Sequence, residues 1–297
     1  MSVAERPIVF VCGGERMLGI LHAPDRPTSI GVVIVVGGPQ YRVGSHRQYV
    51  ILARALSESG VAVLRFDCRG MGDSEGRFRG FEHIGDDIRA AIDAFLAEQP
   101  SVSRVVLWGL CDSASAAMYY GGGDGRVAGM VLANPWARTE AGFARARLRH
   151  YYLDRLLSRD FWRGIARGEY KAGASLASFG AILRNAFGGA KPADAPRPPA
   201  GEDMVSLAEL GLGDPGLPDR MRRGLEAFGG PILFLLSGND LTAREFDDMW
   251  KGSRAWRRAM GRASVTIHPM PETDHTWSAR AHLDEATGLI RDWIGRL

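Results

Sequence analysis

Residues Val105-Val106-Leu107-Trp108-Gly109-Leu110-Cys111-Asp112-Ser113-Ala114-Ser115-Ala116 decide how the rest of the sequence is understood. Residues 104–108 form a buried-strand pattern, and a helix starts over residues 114–120. Only the turn Gly109-x-Cys111-x-Ser113 separates them. So sharp a turn holds its central residue in a strained backbone conformation and needs small residues on both sides. Gly109 and Ser113 meet that need. Cys111 stands at the tip, at the N-terminus of a helix, where the dipole stabilises a thiolate. Cys111 is therefore the candidate nucleophile. The bland alternative, a small buried hydrophobe, suits a cysteine at an arbitrary position better than one at this tip. Ser113 and Ser115 are rival nucleophiles, but they fall two and four residues beyond the tip.

Working outward, strands and helices alternate. Residues 8–12 and 17–22 read as a hairpin about Gly13-Gly14. Residues 31–36 (GVVIVV) are an unbroken β-branched run, the mark of a parallel strand covered on both faces. A helix is expected near 46–59, a strand at 61–66, a helix at 82–98 and a strand at 127–133. This rhythm argues for a doubly wound, mostly parallel α/β sheet. It breaks between 134 and 230, where three helices are expected (141–157, 159–166 and near 176–187). They are followed by a Pro/Gly/Ala-rich loop at 188–202 (GGAKPADAPRPPAGE). The expected organisation is a core of 1–133 and 231–297 carrying a helical cap at 134–230. The sheet resumes at 231–236 (PILFLL), with a helix at 243–260, a strand at 264–268 and a last helix at 279–295.

The 297 residues allow one large domain or two ordinary ones. A 45% hydrophobic and 24% charged composition excludes a disordered or fibrous chain. With 37 basic and 34 acidic residues, the formal net charge of +3 is too mild to indicate a nucleic-acid binder. The three cysteines, Cys12, Cys68 and Cys111, are odd in number and widely spaced. They form neither a disulfide framework nor a zinc pattern, which suits a reducing compartment. The N-terminus lacks the apolar core of a signal peptide, and no apolar run is long enough to span a bilayer. A cytoplasmic location follows as the expectation. No motif calls for a metal or an organic cofactor.

A strand, Gly-x-nucleophile-x-small turn and helix match the nucleophile elbow of the α/β-hydrolase fold, whose chain order is nucleophile, acid, histidine. The acid should follow a late strand, and Asp240 follows residues 231–236 in Ser237-Gly238-Asn239-Asp240. A helix N-cap is its competing role. The histidine should follow the last strand, and His275 lies in the loop before the final helix, whereas His268 is still in the strand and His282 is inside the helix. His275 would take the proton of Cys111, with Asp240 fixing its tautomer. An oxyanion hole needs two backbone N–H groups. Asp112 supplies one. The loop Gly37-Gly38-Pro39-Gln40 supplies the other; Pro39 has no N–H, so Gln40 is the candidate and Gly38 the alternative. The loop Asp67-x-Arg69-Gly70-x-Gly72-x-Ser74 reads as structural.

Outside its cap, the chain resembles the α/β-hydrolase superfamily over nearly its full length. More narrowly, it resembles the exosortase A system-associated hydrolase 1 family at 35–48 (VVGGPQYRVGSHRQ), 109–112 (GLCD), 134–141 (NPWARTEA) and 236–243 (LSGNDLTA). That resemblance implies a cytoplasmic hydrolase or acyltransferase of no stated substrate. The elbow departs from the superfamily in having Cys for Ser and Ser for the second Gly. Dienelactone hydrolases are similar in having a Cys elbow, but are shorter and lack such a cap. A thioester acyl-enzyme is more open to amine attack than an ester, which favours thioesterase or acyltransferase chemistry. The cap carries Arg138, Arg145, Arg147, Arg149, Arg155, Arg159, Arg163 and Arg167. A solvated helical face is the plain explanation. The functional one is docking of an acyl carrier protein or coenzyme A thioester through Arg145, Arg147 and Arg149. The competing classes are a non-catalytic ligand- or carrier-binding homologue, a dienelactone-hydrolase-like lactone hydrolase, and a serine peptidase or lipase, which Cys111 disfavours.

Overall fold

The unbroken apolar runs become the middle of one eight-stranded sheet. The computed structural model describes residues 3–38, 40–137 and 216–297. Strands β1 (Val3–Cys12) and β2 (Glu15–Pro24) form the antiparallel hairpin. They are followed by β3 (Ile30–Val35), β4 (Val63–Phe66), β5 (Arg104–Leu110), β6 (Val127–Ala133), β7 (Ile232–Ser237) and β8 (Val265–Met270). The order is β1-β2-β4-β3-β5-β6-β7-β8. β2 is antiparallel to β4, and every neighbouring pair from β4 to β8 is parallel. Strands β3, β4, β6 and β7 are buried at every position, so their sequences are runs rather than alternations. β8 lies at the edge, where Pro269 removes no ladder donor that a further strand would need.

Helices cover both faces. They are α1 (Gln48–Glu58), α2 (Gly85–Glu98), α3 (Asp112–Gly121), α4 (Leu217–Ala227), α5 (Leu241–Gly252), α6 (Arg254–Met260) and α7 (Arg280–Ile294). α1 packs beside α7, and α2 beside α3. The single helix expected at 243–260 is corrected to two. Ser253 is extended (φ −110°, ψ 128°) and its side chain accepts the Trp256 N–H, capping α6. The signal was present as Gly252-Ser253, a stop followed by an N-cap.

The chain divides into two units, Met1–Ala137 with Gly216–Leu297, and Arg138–Pro215. The expected cap boundaries therefore shift at both ends. Residues 134–137 belong with the sheet. So does α4, which buries Leu217, Met221 and Leu225 and packs on α3. Those three residues are spaced for one helical face, behind a Pro at the helix start. The helices expected between 141 and 187, the loop at 188–202 and Arg145, Arg147 and Arg149 lie outside the described residues. Among the described residues no helix is long and apolar enough to cross a membrane.

The loop Asp67–Ser74 is structural, as its composition suggests. Arg69 makes two side-chain bonds to Asp87 of α2, at 3.0 and 2.9 Å, and Asp67 accepts the Arg42 and Asp73 N–H groups.

The β5–α3 junction is one of the close backbone contacts in this framework. A Cβ on Gly109 would lie 2.6 Å from the Ala114 nitrogen and the Ser113 carbonyl. Strand and helix meet there backbone to backbone, and neither can yield cheaply. Gly109→Ala is expected to destabilise the protein by about 1–3 kcal/mol. Gly125→Ala, where an added methyl meets nothing within 4 Å, is expected to stay within about 0.5 kcal/mol of the parent. Chemical denaturation of both variants checks this difference.

Candidate active site

All the candidate residues arrive at the carboxyl ends of the parallel strands, where open α/β sheets form their sites. Gly37 and Gly38 follow β3, Cys111 follows β5, Asn134 follows β6, Asp240 follows β7 and His275 follows β8.

Cys111 has φ 64° and ψ −124°, a conformation that non-glycine residues rarely adopt. Such strain persists only where the surroundings enforce it. Here the Cys111 N–H donates to the Ala133 carbonyl at 2.9 Å, and the Cys111 carbonyl accepts the Trp136 and Ala114 N–H groups, each at 3.1 Å. The side chain projects from the N-terminus of α3 and is partly exposed. Cys12 and Cys68 are both buried, and burial raises their thiols, which keeps them protonated at neutral pH. The rival nucleophiles are committed to the backbone. Ser113 Oγ donates to the Leu110 carbonyl at 2.8 Å, and Ser115 Oγ to the Trp136 carbonyl at 2.6 Å; both residues are buried.

Asp240 is a helix N-cap and also a hydrogen-bond partner of His275. It caps α5 by accepting the Thr242 and Ala243 N–H groups at 3.0 and 3.1 Å. Its Oδ2 also accepts from His275 Nδ1 at 2.7 Å. With its proton on Nδ1, His275 leaves Nε2 as the basic nitrogen. The ring is about one-third exposed and the carboxylate is buried.

A buried polar network fixes the backbone that carries His275. The Asn134 amide donates to the His275 carbonyl at 2.9 Å and to Ser237 Oγ at 3.0 Å, and its oxygen accepts the Ser237 N–H at 2.8 Å. Trp277 Nε1 also reaches Ser237 Oγ, at 3.2 Å. Both are pure donors, so the Ser237 hydroxyl must spend its own proton on Thr273 Oγ1, 2.9 Å away. Thr273 then donates to the Met270 carbonyl at 2.9 Å. Every proton in the network is placed. His46 Nε2 donates to the Thr276 carbonyl at 2.8 Å and ties the loop after β3 to the same segment. Sequence reasoning assigned Asn134, Ser237 and Thr273 no part in the site. Asn134 and Ser237 stand in the sequence only within the runs 134–141 and 236–243.

The candidate oxyanion-hole residues make an unusual contact. The Gly38 N–H donates to Asp112 Oδ2 at 2.6 Å, and the Ser113 N–H to Oδ1 at 2.9 Å. A Cβ on Gly37 would meet Asp112 Oδ1 at 2.0 Å, so this carboxyl lies directly on the glycine loop. Burial pushes the Asp112 carboxyl up to about 6, against the pull of the Gly38 and Ser113 N–H groups and His275. Gln40 turns its side chain elsewhere. Its amide donates to Ser45 at 3.0 Å and its oxygen accepts the Tyr49 hydroxyl at 2.8 Å. Tyr49 is buried against Trp108, and burial and the nearby Asp112 raise its hydroxyl further. Among the described residues no group of three or more His, Cys, Asp or Glu side chains is placed to share a metal ion.

Strand order, elbow geometry and the Asp240–His275 pair on successive strand ends settle the architecture. The chain has the α/β-hydrolase fold. A family model described as serine aminopeptidase, S33, matches residues 28–163. An esterase from Pyrococcus furiosus superimposes with TM-score 0.63 at 13% identity, covering 99% of this chain and 91% of that one. Est1E from Butyrivibrio proteoclasticus, solved with ferulic acid bound, gives 0.64 at 15% identity, covering 97% and 98%. A dienelactone hydrolase from Anabaena variabilis gives 0.59 at 13% identity, covering 100% and 99%. No curated protein matches the sequence. Within this α/β-hydrolase fold, Cys111, His275, Asp240, Asp112 and the Gly38 loop all follow the carboxyl ends of parallel strands.

Asn134 has φ 44°, which Asn tolerates better than most residues. Asn134→Ala and Asn134→Gly both strand the Ser237 N–H and are expected to cost about 1–3 kcal/mol. The glycine variant should be the milder by about 1 kcal/mol, because it accepts the positive φ. Thermal unfolding of the two variants measures this.

Proposed function

We propose that this protein is an acyl-transfer enzyme with a Cys111-His275-Asp240 triad, acting on an ester or thioester as a hydrolase or acyltransferase. The observation that carries it is Cys111 at the strained tip of the β5–α3 elbow, with His275 Nδ1 bonded to Asp240 two strand ends away. The serine aminopeptidase model and the esterase and lactone-hydrolase neighbours support the reaction class.

His275 Nε2 takes the Cys111 proton, and the thiolate attacks the substrate carbonyl carbon. The C–S bond forms as the carbonyl π pair moves onto oxygen. The Asp112 and Gly38 N–H groups receive that oxyanion, Gly38 being preferred to Gln40 because its N–H faces the elbow residue. The tetrahedral intermediate collapses, the leaving group takes the proton from His275, and a thioester remains. Water or an amine or alcohol acceptor then attacks, giving its proton to His275 and releasing the thiol. A thioester intermediate favours transfer to an amine more than an ester would. The resemblance to the exosortase A system-associated hydrolase 1 family, and the arginines at 145, 147 and 149, support an acyl carrier protein or coenzyme A thioester as donor. Charge reversal at those arginines is expected to raise KM for the carrier-bound donor and to leave small thioesters unaffected.

Incubation with S-phenyl thioacetate is expected to add one acetyl mass to the parent and none to Cys111→Ala. Asp240→Asn keeps an N-cap but loses the carboxylate, and is expected to slow acylation by about 10²–10⁴-fold. Equal labelling of Cys111→Ala would overturn the assignment of the nucleophile. Failure to acylate, with iodoacetamide reactivity of Cys111 unchanged in His275→Ala, would instead indicate a binding protein.

A further inference from the structure

We propose that His46 is a positioning residue of this site, whose side chain straps the loop that carries His275 to the loop after β3. This rests on the acyl-transfer function just proposed and adds to it a group that sets where the base stands. His46 acts through the main chain of Thr276, the residue next to the base.

Backbone strain points to this strap. Among the described residues, those other than glycine with positive φ are Arg47 (66°), Cys111 (64°), Asn134 (44°) and Trp277 (55°). Cys111 is the elbow tip, and Asn134 holds the His275 carbonyl. The other two flank a single bond. His46 Nε2 donates to the Thr276 carbonyl at 2.8 Å, across 230 residues of sequence. Arg47 follows the donor and Trp277 follows the acceptor. A bulky side chain at positive φ is a genuine outlier, and such conformations persist only where the surroundings enforce them. Trp277 is enforced through its buried indole, which packs edge-on against Trp108 and donates to Ser237 Oγ at 3.2 Å. Arg47 is the N-cap of α1, yet its side chain makes no capping bond. The start of α1 on one side and the His46 bond on the other hold it.

The strap supplies what the Asp240 bond does not. That bond fixes Nδ1 of His275 at 2.7 Å from Asp240 Oδ2, but the ring still swings about it. Where Nε2 stands is therefore set by the main chain at residue 275. That main chain is held from two strand ends. The His275 carbonyl accepts the Asn134 amide, which follows β6, and the Thr276 carbonyl accepts His46, which follows β3. Loss of the second bond lets the strained turn at 276–277 relax, and residue 275 shifts with it. An error of about 1 Å in placing a catalytic group costs on the order of 10²-fold in rate. Because its partner is a carbonyl, His46 Nε2 carries a proton whether the ring is neutral or charged, so the strap stays closed as pH changes. The same loop after β3 brings the Gly38 N–H to Asp112, so one segment is tied to both the elbow and the base.

The test is alkylation of Cys111 by iodoacetamide from about pH 5.5 to 9.5 in the parent, His275→Ala, His46→Phe and His46→Gln, with thermal unfolding of each as the control for the fold. Phe keeps a ring without a donor, and Gln places an N–H at a reach similar to that of Nε2. A base held beside the thiol keeps it reactive below the ordinary thiol range, whereas above about pH 9 the thiolate forms unaided. His275→Ala and His46→Phe are both expected to lose at least about 10-fold at pH 6.5 and to stay within about 3-fold of the parent at pH 9.5. His46→Gln is expected to follow the parent throughout. A purely structural loss would lower Tm without this selectivity for low pH. If His46→Phe keeps the parent's profile while His275→Ala loses reactivity at pH 6.5, the proposal is overturned. It is equally overturned if His46→Gln loses as much as His46→Phe, since the N–H is then not what matters. If His275→Ala keeps the parent's profile, the triad itself is wrong and the role of His46 falls with it.

Discussion

The positive φ at Cys111 is the constraint on which the rest of this site depends. Such a residue costs about 1–3 kcal/mol, which the framework must offset. The offset comes from β6, whose last carbonyl takes the Cys111 N–H, and from the Trp136 N–H, which caps the Cys111 carbonyl. Gly109 lets strand and helix meet at backbone distance, and Gly37 lets the next loop close over residue 112. Removal of any of these contacts leaves the elbow free to relax, and the thiol would leave the mouth of the helix.

Two aspartates at the carboxyl ends of the strands bond differently because their neighbours differ. Asp240 faces a helix N-terminus and a histidine, so one carboxylate caps α5 and orients an imidazole. Asp112 instead accepts the Gly38 and Ser113 main-chain N–H groups, against whose pull burial raises its carboxyl.

The sheet was readable in the sequence because a strand buried on both faces must be apolar throughout, as in 31–36 and 231–236. The elbow was readable because its steric demands leave few residue choices at 109, 111 and 113. Asp240 and His275 followed from chain order. Contacts that join distant residues through backbone atoms were not readable. The Asn134 bonds to Ser237 and to the His275 carbonyl span 103 and 141 residues and leave no local pattern. Nor does composition reveal that the Asp112 carboxyl turns onto the Gly38 N–H, or that Gln40 turns away to Tyr49. The split between α5 and α6 did have a local signal in Gly252-Ser253, outweighed by apolar periodicity on both sides. The same holds for α4, hidden at the end of a stretch without strands.

Residues 134 and 136 bond to the histidine loop and to the elbow, and α4 seals α3, yet all are neighbours in sequence of the segment between 138 and 215. This fixes the seams for modular exchange. Recombination that transplants a foreign insertion between Ala137 and Gly216 preserves the scaffold that carries His275. A graft cut at 133 and 231 would discard Asn134, Trp136 and α4 along with the insertion, and would exchange part of the frame that holds the elbow and the His275 loop together with the module meant to vary.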